Sequence, residues 1–251
     1  MLNKVTIVIL LLILNLNAKD ITIAVAANVS YAINDLIKEF NIKNPNTKVN
    51  VTLGSSGKLS AQISHGAPYD LFLSANMKYP NNLYKNNYSI TKPRVYAKGS
   101  LVYFSSKKLD FSKNLNDLLE DKNIKQIAIA NPKTAPYGIA SFEALKKAQI
   151  FDKIKSKFVY GESISQTIMY SVSATDIGII AKSSLFSKTM SQFKENVNWK
   201  EVNKKLYTPI EQGIVLLKKA KNKDEAQAFY DFIFSKRAKE IFTKYGYITN
   251  E

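Results

Sequence analysis

The sequence predicts an α/β protein of two lobes, each a mixed, mostly parallel sheet flanked by helices, with the chain crossing between them twice. Three observations predict it. Residues 21–75 alternate β-branched runs with an amphipathic stretch of helical period, in β-α-β-α-β order, the grammar of a parallel sheet covered on both faces. Residues 126–181 repeat the order strand, polar turn, helix. A late apolar run, Pro209–Leu217, is placed to return the chain to the first lobe.

The elements follow in order. Met1–Ala18 carries Lys4, the apolar run Val5–Leu14 and a small residue at its end, the pattern of a secretory signal cleaved after Ala18. The apolar run is short for a membrane-spanning helix. Ile21–Val25 is a strand, and Tyr31–Asn41 a helix whose Ile33, Leu36, Ile37 and Phe40 form one apolar face. Asn28 or Ser30 is a suitable cap for it. Lys48–Leu53 is the second strand. A Gly54-Ser55-Ser56-Gly57 turn then leads to a helix that opens at Leu59 and stops at Gly66 and Pro68. Asp70–Ala75 is the third strand.

Tyr79–Tyr88 reads as a short helix and loop, and Val95–Phe104 as a strand interrupted at Lys98-Gly99, where the chain crosses. Leu115–Leu119 is a short helix and Gln126–Ala130 a strand. The polar turn Asn131–Gly138 precedes a helix over Ile139–Ala148, with Phe142 and Leu145 inward. Phe158–Tyr160, Ile164–Val172 and Asp176–Ala181 are strand, helix and strand. Trp199–Val202 and Pro209–Leu217 are strands. Asp224–Tyr245 is helical, broken near Ser235, with Phe229, Ile233 and Phe242 inward and Gly246 as its stop. The boundaries expected are a leader at 1–18, lobe 1 at 19–97 and 207–251, and lobe 2 at 98–206. A crevice between such lobes is where ligands usually lie.

Composition removes several classes of function. The 251 residues contain no cysteine, hence no disulfide, thiol nucleophile or lipid-anchored cysteine, and a soluble exported protein is expected. The single histidine, His65, ends a helix, where it complements the dipole, and one histidine builds neither a zinc site nor an obvious triad. The formal charge of +16 raises the question of nucleic acid. The basic residues are nearly all lysines spread along an exported chain, so a solvated surface, with at most long-range attraction of an anion, is the reading.

The catalytic motifs also fail. Gly54-Ser55-Ser56-Gly57-Lys58-Leu59 is two residues short of a P-loop and has Leu59 where a magnesium-binding hydroxyl belongs. Gly161-Glu162-Ser163-Ile164-Ser165 lacks the second glycine of a nucleophile elbow. Carboxylates converge on no turn, so no acid/base pair emerges and no enzyme is expected. What remains is a set of four helix-initiating turns: Asn28–Ser30, Ser55–Gly57, Pro136–Gly138 and Ser163–Ser165. Each alone is ordinary capping chemistry. Together they present uncharged N–H and O–H donors, with the positive ends of helix dipoles, to an oxyanion in a cleft.

Several stretches, in order, carry a family resemblance: Ala26-Ala27-Asn28-Val29, Gly54–Ile63, Gly66–Ala75, Asn131-Pro132 with Pro136-Tyr137-Gly138, Asp176-Ile177-Gly178-Ile179, Ala228–Phe232 and Lys244–Tyr247. Across nearly the whole mature chain they resemble the periplasmic molybdate-binding proteins of ABC transporters. The resemblance implies a type II periplasmic binding fold closing on molybdate or tungstate. It implies oxyanion contacts from Asn28 (side chain and N–H), Ser56 (hydroxyl and N–H) and the backbone N–H groups of Tyr137 and Ile164. These residues would hold the metal as its oxyanion, with no direct cation ligand and no cofactor. Some members place a tyrosine hydroxyl where this chain has Ala181, and Tyr137 could replace it with its own hydroxyl or ring. A periplasmic monomer that delivers its ion to a membrane permease, and binds no nucleic acid, completes the expectation. The alternatives are a sulfate or phosphate receptor and an exported hydrolase on the same fold.

Overall fold

The computed structural model describes residues 20–249. The expected leader, Met1–Ala18, lies outside them. Among the described residues, ten strands form two five-stranded sheets. The first contains β1 (Ile21–Ala26), β2 (Val49–Gly54), β3 (Leu71–Ser74), β4 (Arg94–Gly99) and β10 (Ile210–Leu216), in the order β2-β1-β3-β10-β4. The second contains β5 (Leu101–Phe104), β6 (Ile127–Ala130), β7 (Phe158–Gly161), β8 (Ile177–Ala181) and β9 (Trp199–Glu201), in the order β7-β6-β8-β5-β9. The central strand of each trio, β1 or β6, pairs in parallel with both its neighbours, and an antiparallel pair completes each sheet.

The central strands of each sheet are buried, and β2 at the edge of the first is only half-buried. In β1 and β6 successive Ile, Val and Ala side chains face helices on both sides of the sheet, so the runs, Thr22 apart, are apolar instead of alternating. In lobe 1, α1 (Ile33–Lys43), α8 (Asp224–Ile233) and α9 (Lys236–Lys244) cover one face, where Phe40, Phe229 and Phe242 pack. Helices α2 (Ser56–Ser64) and α3 (Lys78–Lys85) cover the other around Leu59, Phe72 and Leu83. In lobe 2, α4 (Leu115–Glu120), α5 (Pro136–Lys147), α6 (Phe151–Ile154) and α7 (Ile164–Ser173) enclose a core that includes Phe104, Ile129, Leu145 and Ile179.

Several boundaries differ from expectation, and the differences share a cause. Helix α2 begins at Ser56 and not Leu59, and α5 at Pro136 and not Ile139. Residues that read as turn chemistry are the first helical turn, because Ser, Gly and Pro are favoured both in turns and at helix starts. Neither Asn28 nor Ser30 caps α1. The cap is Ala32, without a side-chain bond, and residues Ala27–Val29 form a short 3-10 turn of their own. The break in the C-terminal helix does fall at Ser235, whose Oγ accepts from the Ala238 N–H at 3.2 Å as the N-cap of α9. Gly246 then ends α9 at φ 74°, with the N–H of Tyr247 donating to the Phe242 carbonyl at 3.1 Å. That left-handed turn swings Tyr247 inward.

Candidate functional site: a neutral cavity between the lobes

In each lobe the two strands that deliver the site end level with one another. Ala26 is paired with Gly54 at the ends of β1 and β2, and Ala130 with Gly161 at the ends of β6 and β7. The segments that follow are the 3-10 turn, α2, α5 and α7, whose first turns have N–H groups without intrahelical partners. All four converge on one small cavity between the lobes. Asn28, Ser55, Ser56, Tyr137 and Ile164 line it, and none of its lining residues is charged. The residues singled out from sequence, Asn28, Ser56, Tyr137 and Ile164, are thus brought together.

They contribute differently. Ser56, 1% exposed, accepts the Ala75 N–H on its Oγ at 2.9 Å. That bond fixes the side chain and leaves the hydroxyl hydrogen free to donate. Asn28, also 1% exposed, has both amide hydrogens engaged: Nδ2 donates to Gln212 Oε1 at 2.7 Å and to the Tyr247 hydroxyl at 2.8 Å. The Tyr247 hydroxyl in turn donates to the Asn28 carbonyl at 2.8 Å, and Ser183 Oγ donates to the same oxygen at 3.0 Å. Burial drives the Tyr247 hydroxyl pKa up, with Ser183 and Asn28 opposing, so it stays a neutral donor. The Asn28 side chain therefore braces the first wall, and its free donor is the backbone N–H.

The second wall presents the start of α5 and of α7. Pro136 occupies the first helical turn, where its missing N–H costs nothing, and Tyr137 follows. The Tyr137 ring is buried, and its hydroxyl is packed against the last residue of β4: a Cβ on Gly99 would lie 2.1 Å from it. Burial, with Tyr247, Tyr96 and Tyr207 adding to it and Asn28 opposing, holds this hydroxyl neutral far above ordinary pH. Ala181, at the position where the resemblance leads one to look for a tyrosine hydroxyl, is fully buried at the end of β8. In α7 the N-cap is Ser163, which accepts the Gln166 N–H at 3.3 Å, while Gln166 Oε1 accepts from Glu162 N–H at 2.7 Å. The arrangement resembles a capping box and leaves Ile164 N–H unclaimed at the cavity.

The lobes are closed on each other. Gly57 N–H donates to the Thr134 carbonyl at 2.9 Å, Ser165 Oγ to the Ala27 carbonyl at 3.2 Å, and Lys58 pairs with Glu162 at the rim. Sequence reading missed Gln212, Tyr247 and Ser183 as supports. A glutamine fully buried inside the apolar strand β10 is the one local signal that could have pointed there. Among the described residues, no group of three or more His, Cys, Asp or Glu could hold a metal cation.

Comparison with known proteins agrees with this geometry. The family model described as "Bacterial extracellular solute-binding protein" matches residues 21–248. The molybdate-binding protein ModA of Azotobacter vinelandii is 34% identical over 92% of this chain and 90% of its own length. The solved structure of the periplasmic molybdate-binding protein of Azotobacter vinelandii superposes with a TM-score of 0.84 at 28% identity, covering 92% of this chain and all of that one. The substrate-binding domain of a putative molybdenum ABC transporter from Clostridium difficile superposes with a TM-score of 0.68, also at 28% identity, covering 92% of this chain and 99% of that one.

Proposed function

The chain belongs to the bacterial extracellular solute-binding proteins, and on that basis we propose that it captures molybdate, with tungstate as a second ligand, and delivers it to an ABC permease. The observation that carries the reading is the meeting of three α-helix starts and a 3-10 turn at one small cavity with no charged residue in its lining. A tetrahedral dianion placed there receives N–H donors from Asn28, Ser56, Tyr137 and Ile164 and the hydroxyl of Ser56. Neutral donors at fixed positions recognise such an ion by size and protonation state, and a low-dielectric site strengthens each bond.

In this reading lobe 1 comprises residues 19–97 and 207–251 and keeps Lys98 and Gly99 as the end of β4, lobe 2 comprises the rest of 98–206, and residues 1–18 are a cleaved leader that sends a monomeric receptor to the periplasm. The ion meets Asn28 and Ser56 first, and the second lobe closes by a hinge motion to add Tyr137 and Ile164. Closure is favoured to the extent that the ion binds the closed form better. The protein acts as a receptor and not as a catalyst.

Calorimetric titration with molybdate, tungstate, sulfate and phosphate tests the proposal. Molybdate and tungstate should bind at least tenfold more tightly than the other two; preference for sulfate or phosphate would replace molybdate with the competing oxyanion. Ser56→Ala removes one hydrogen bond to a buried anion, worth about 1.5–3 kcal/mol, and so should weaken molybdate binding tenfold or more. An unchanged dissociation constant would take Ser56 out of the site.

A further inference from the structure

A residue not assigned above lies beside Ser56 in the same cavity. Ser55 is the N-cap of α2, and a serine there ordinarily turns its oxygen back to accept an N–H of the first turn. Here it makes no such bond. One of the N–H groups it would serve, that of Gly57, donates instead across the cleft to the Thr134 carbonyl at 2.9 Å. Ser55 is 4% exposed, its Oγ is buried without a hydrogen-bond partner, and it lines the cavity between the helix starts. A buried hydroxyl left unpaired is costly, and a serine whose only task was capping would not be turned this way.

The remaining side chains of the first wall sharpen the point. Ala26, Ala27 and Ala75 present methyl groups, and the Asn28 amide hydrogens are held by Gln212 and Tyr247. Hydroxyl donors on this wall come from Ser55 and Ser56. We infer that the Ser55 hydroxyl is a further donor to the bound oxyanion, so that the Ser55-Ser56 pair grips two oxygens of one ion. This rests on the oxyanion reading of the cavity. In the closed form the Gly57 N–H is held by Thr134, so that N–H does not call on Ser55 as a cap.

The test separates donor from cap. Ser55→Ala loses both, whereas Ser55→Gly loses the hydroxyl yet keeps a residue well tolerated at an N-cap. Molybdate affinity by calorimetry should fall about tenfold in both variants. The melting temperature of the ligand-free Ser55→Gly protein should match that of the parent. If affinity is unchanged in both while Ser56→Ala binds weakly, the oxyanion site stands and the role given to Ser55 is wrong. A lowered ligand-free melting temperature with unchanged affinity makes Ser55 a cap only and likewise overturns it. Failure of the parent protein to bind any of molybdate, tungstate, sulfate or phosphate removes the cavity's function and this inference with it.

Discussion

The two lobes are built to one plan and offer the cleft different chemistry. Each has three parallel strands, an antiparallel fourth and an edge strand, and in each the first two parallel strands end side by side at an Ala–Gly pair. Each also places an aspartate just before its third parallel strand. Asp70 accepts the Thr22 N–H at 2.8 Å and pairs with Lys223, and Asp176 accepts the N–H groups of Lys125 and Gln126 at 2.7 and 2.9 Å. Yet lobe 1 turns serine hydroxyls to the cavity and braces its wall with a buried network around Asn28. Lobe 2 brings apolar or inward-packed side chains, Ile164 and Tyr137, and in the proposed reading offers an ion what the backbone of two helix starts supplies. Donors that depend on residue type lie on one side, and donors that depend on helix placement lie on the other.

That contrast can be broken by mutation. The largest effect should come from Asn28→Leu, which strands Gln212 Oε1 and removes one of the two hydrogen bonds of the Tyr247 hydroxyl, whose bond to the backbone carbonyl of residue 28 remains. Urea unfolding should show a loss of about 3 kcal/mol, from one buried acceptor left unpaired at about 1–3 kcal/mol and one further hydrogen bond lost at about 0.5–1.5 kcal/mol. A loss below 1 kcal/mol would mean that the network does not brace the wall.

Asp176→Asn should cost less, about 1–2 kcal/mol at neutral pH, since hydrogen bonds to a charged group are replaced by weaker ones. Burial raises the Asp176 carboxyl, but Lys107 and the N–H groups of Gln126 and Lys125 outweigh it and leave the pKa below the ordinary value. The folded state thus favours the ionised form. Its contribution is present above about pH 4, the ordinary aspartate range, and is lost as pH falls through the lowered folded value. Parent and variant should therefore differ in urea midpoint at pH 7 and converge in acid; a gap that persists at low pH would contradict this.

The smallest effect on binding should be that of Ile164→Val. The substitution costs about 1 kcal/mol of stability, but the N–H remains, so molybdate affinity should stay within about twofold, roughly 0.4 kcal/mol. A tenfold loss would mean that the side chain takes part, and lobe 2 would no longer be a purely backbone surface.

The same contrast explains what was legible in the chain. The β-branched runs, the helical periods and the four polar turns are local patterns, so the α/β class, the element order and the turns could be read directly, whereas the choice of Asn28, Ser56, Tyr137 and Ile164 within those turns rests on the family resemblance. The helix starts at Ser56 and Pro136 were displaced because turn and first-turn preferences coincide at Ser, Gly and Pro. The partners of Asn28 lie 184 and 219 residues away along the chain, and no local pattern reports a contact of that range. Ser55 and Ser56 are the same residue type in adjacent positions. They are told apart only by the Ala75 N–H, which the end of β3 brings to one of them.

A crystal structure grown with molybdate tests the central claim most directly. The account predicts the ion in the cavity between the lobes, with its oxygens about 2.7–3.2 Å from Ser56 Oγ and from the backbone nitrogens of Tyr137 and Ile164. An ion held elsewhere, or bound through lysine side chains with those donors turned away, would contradict it.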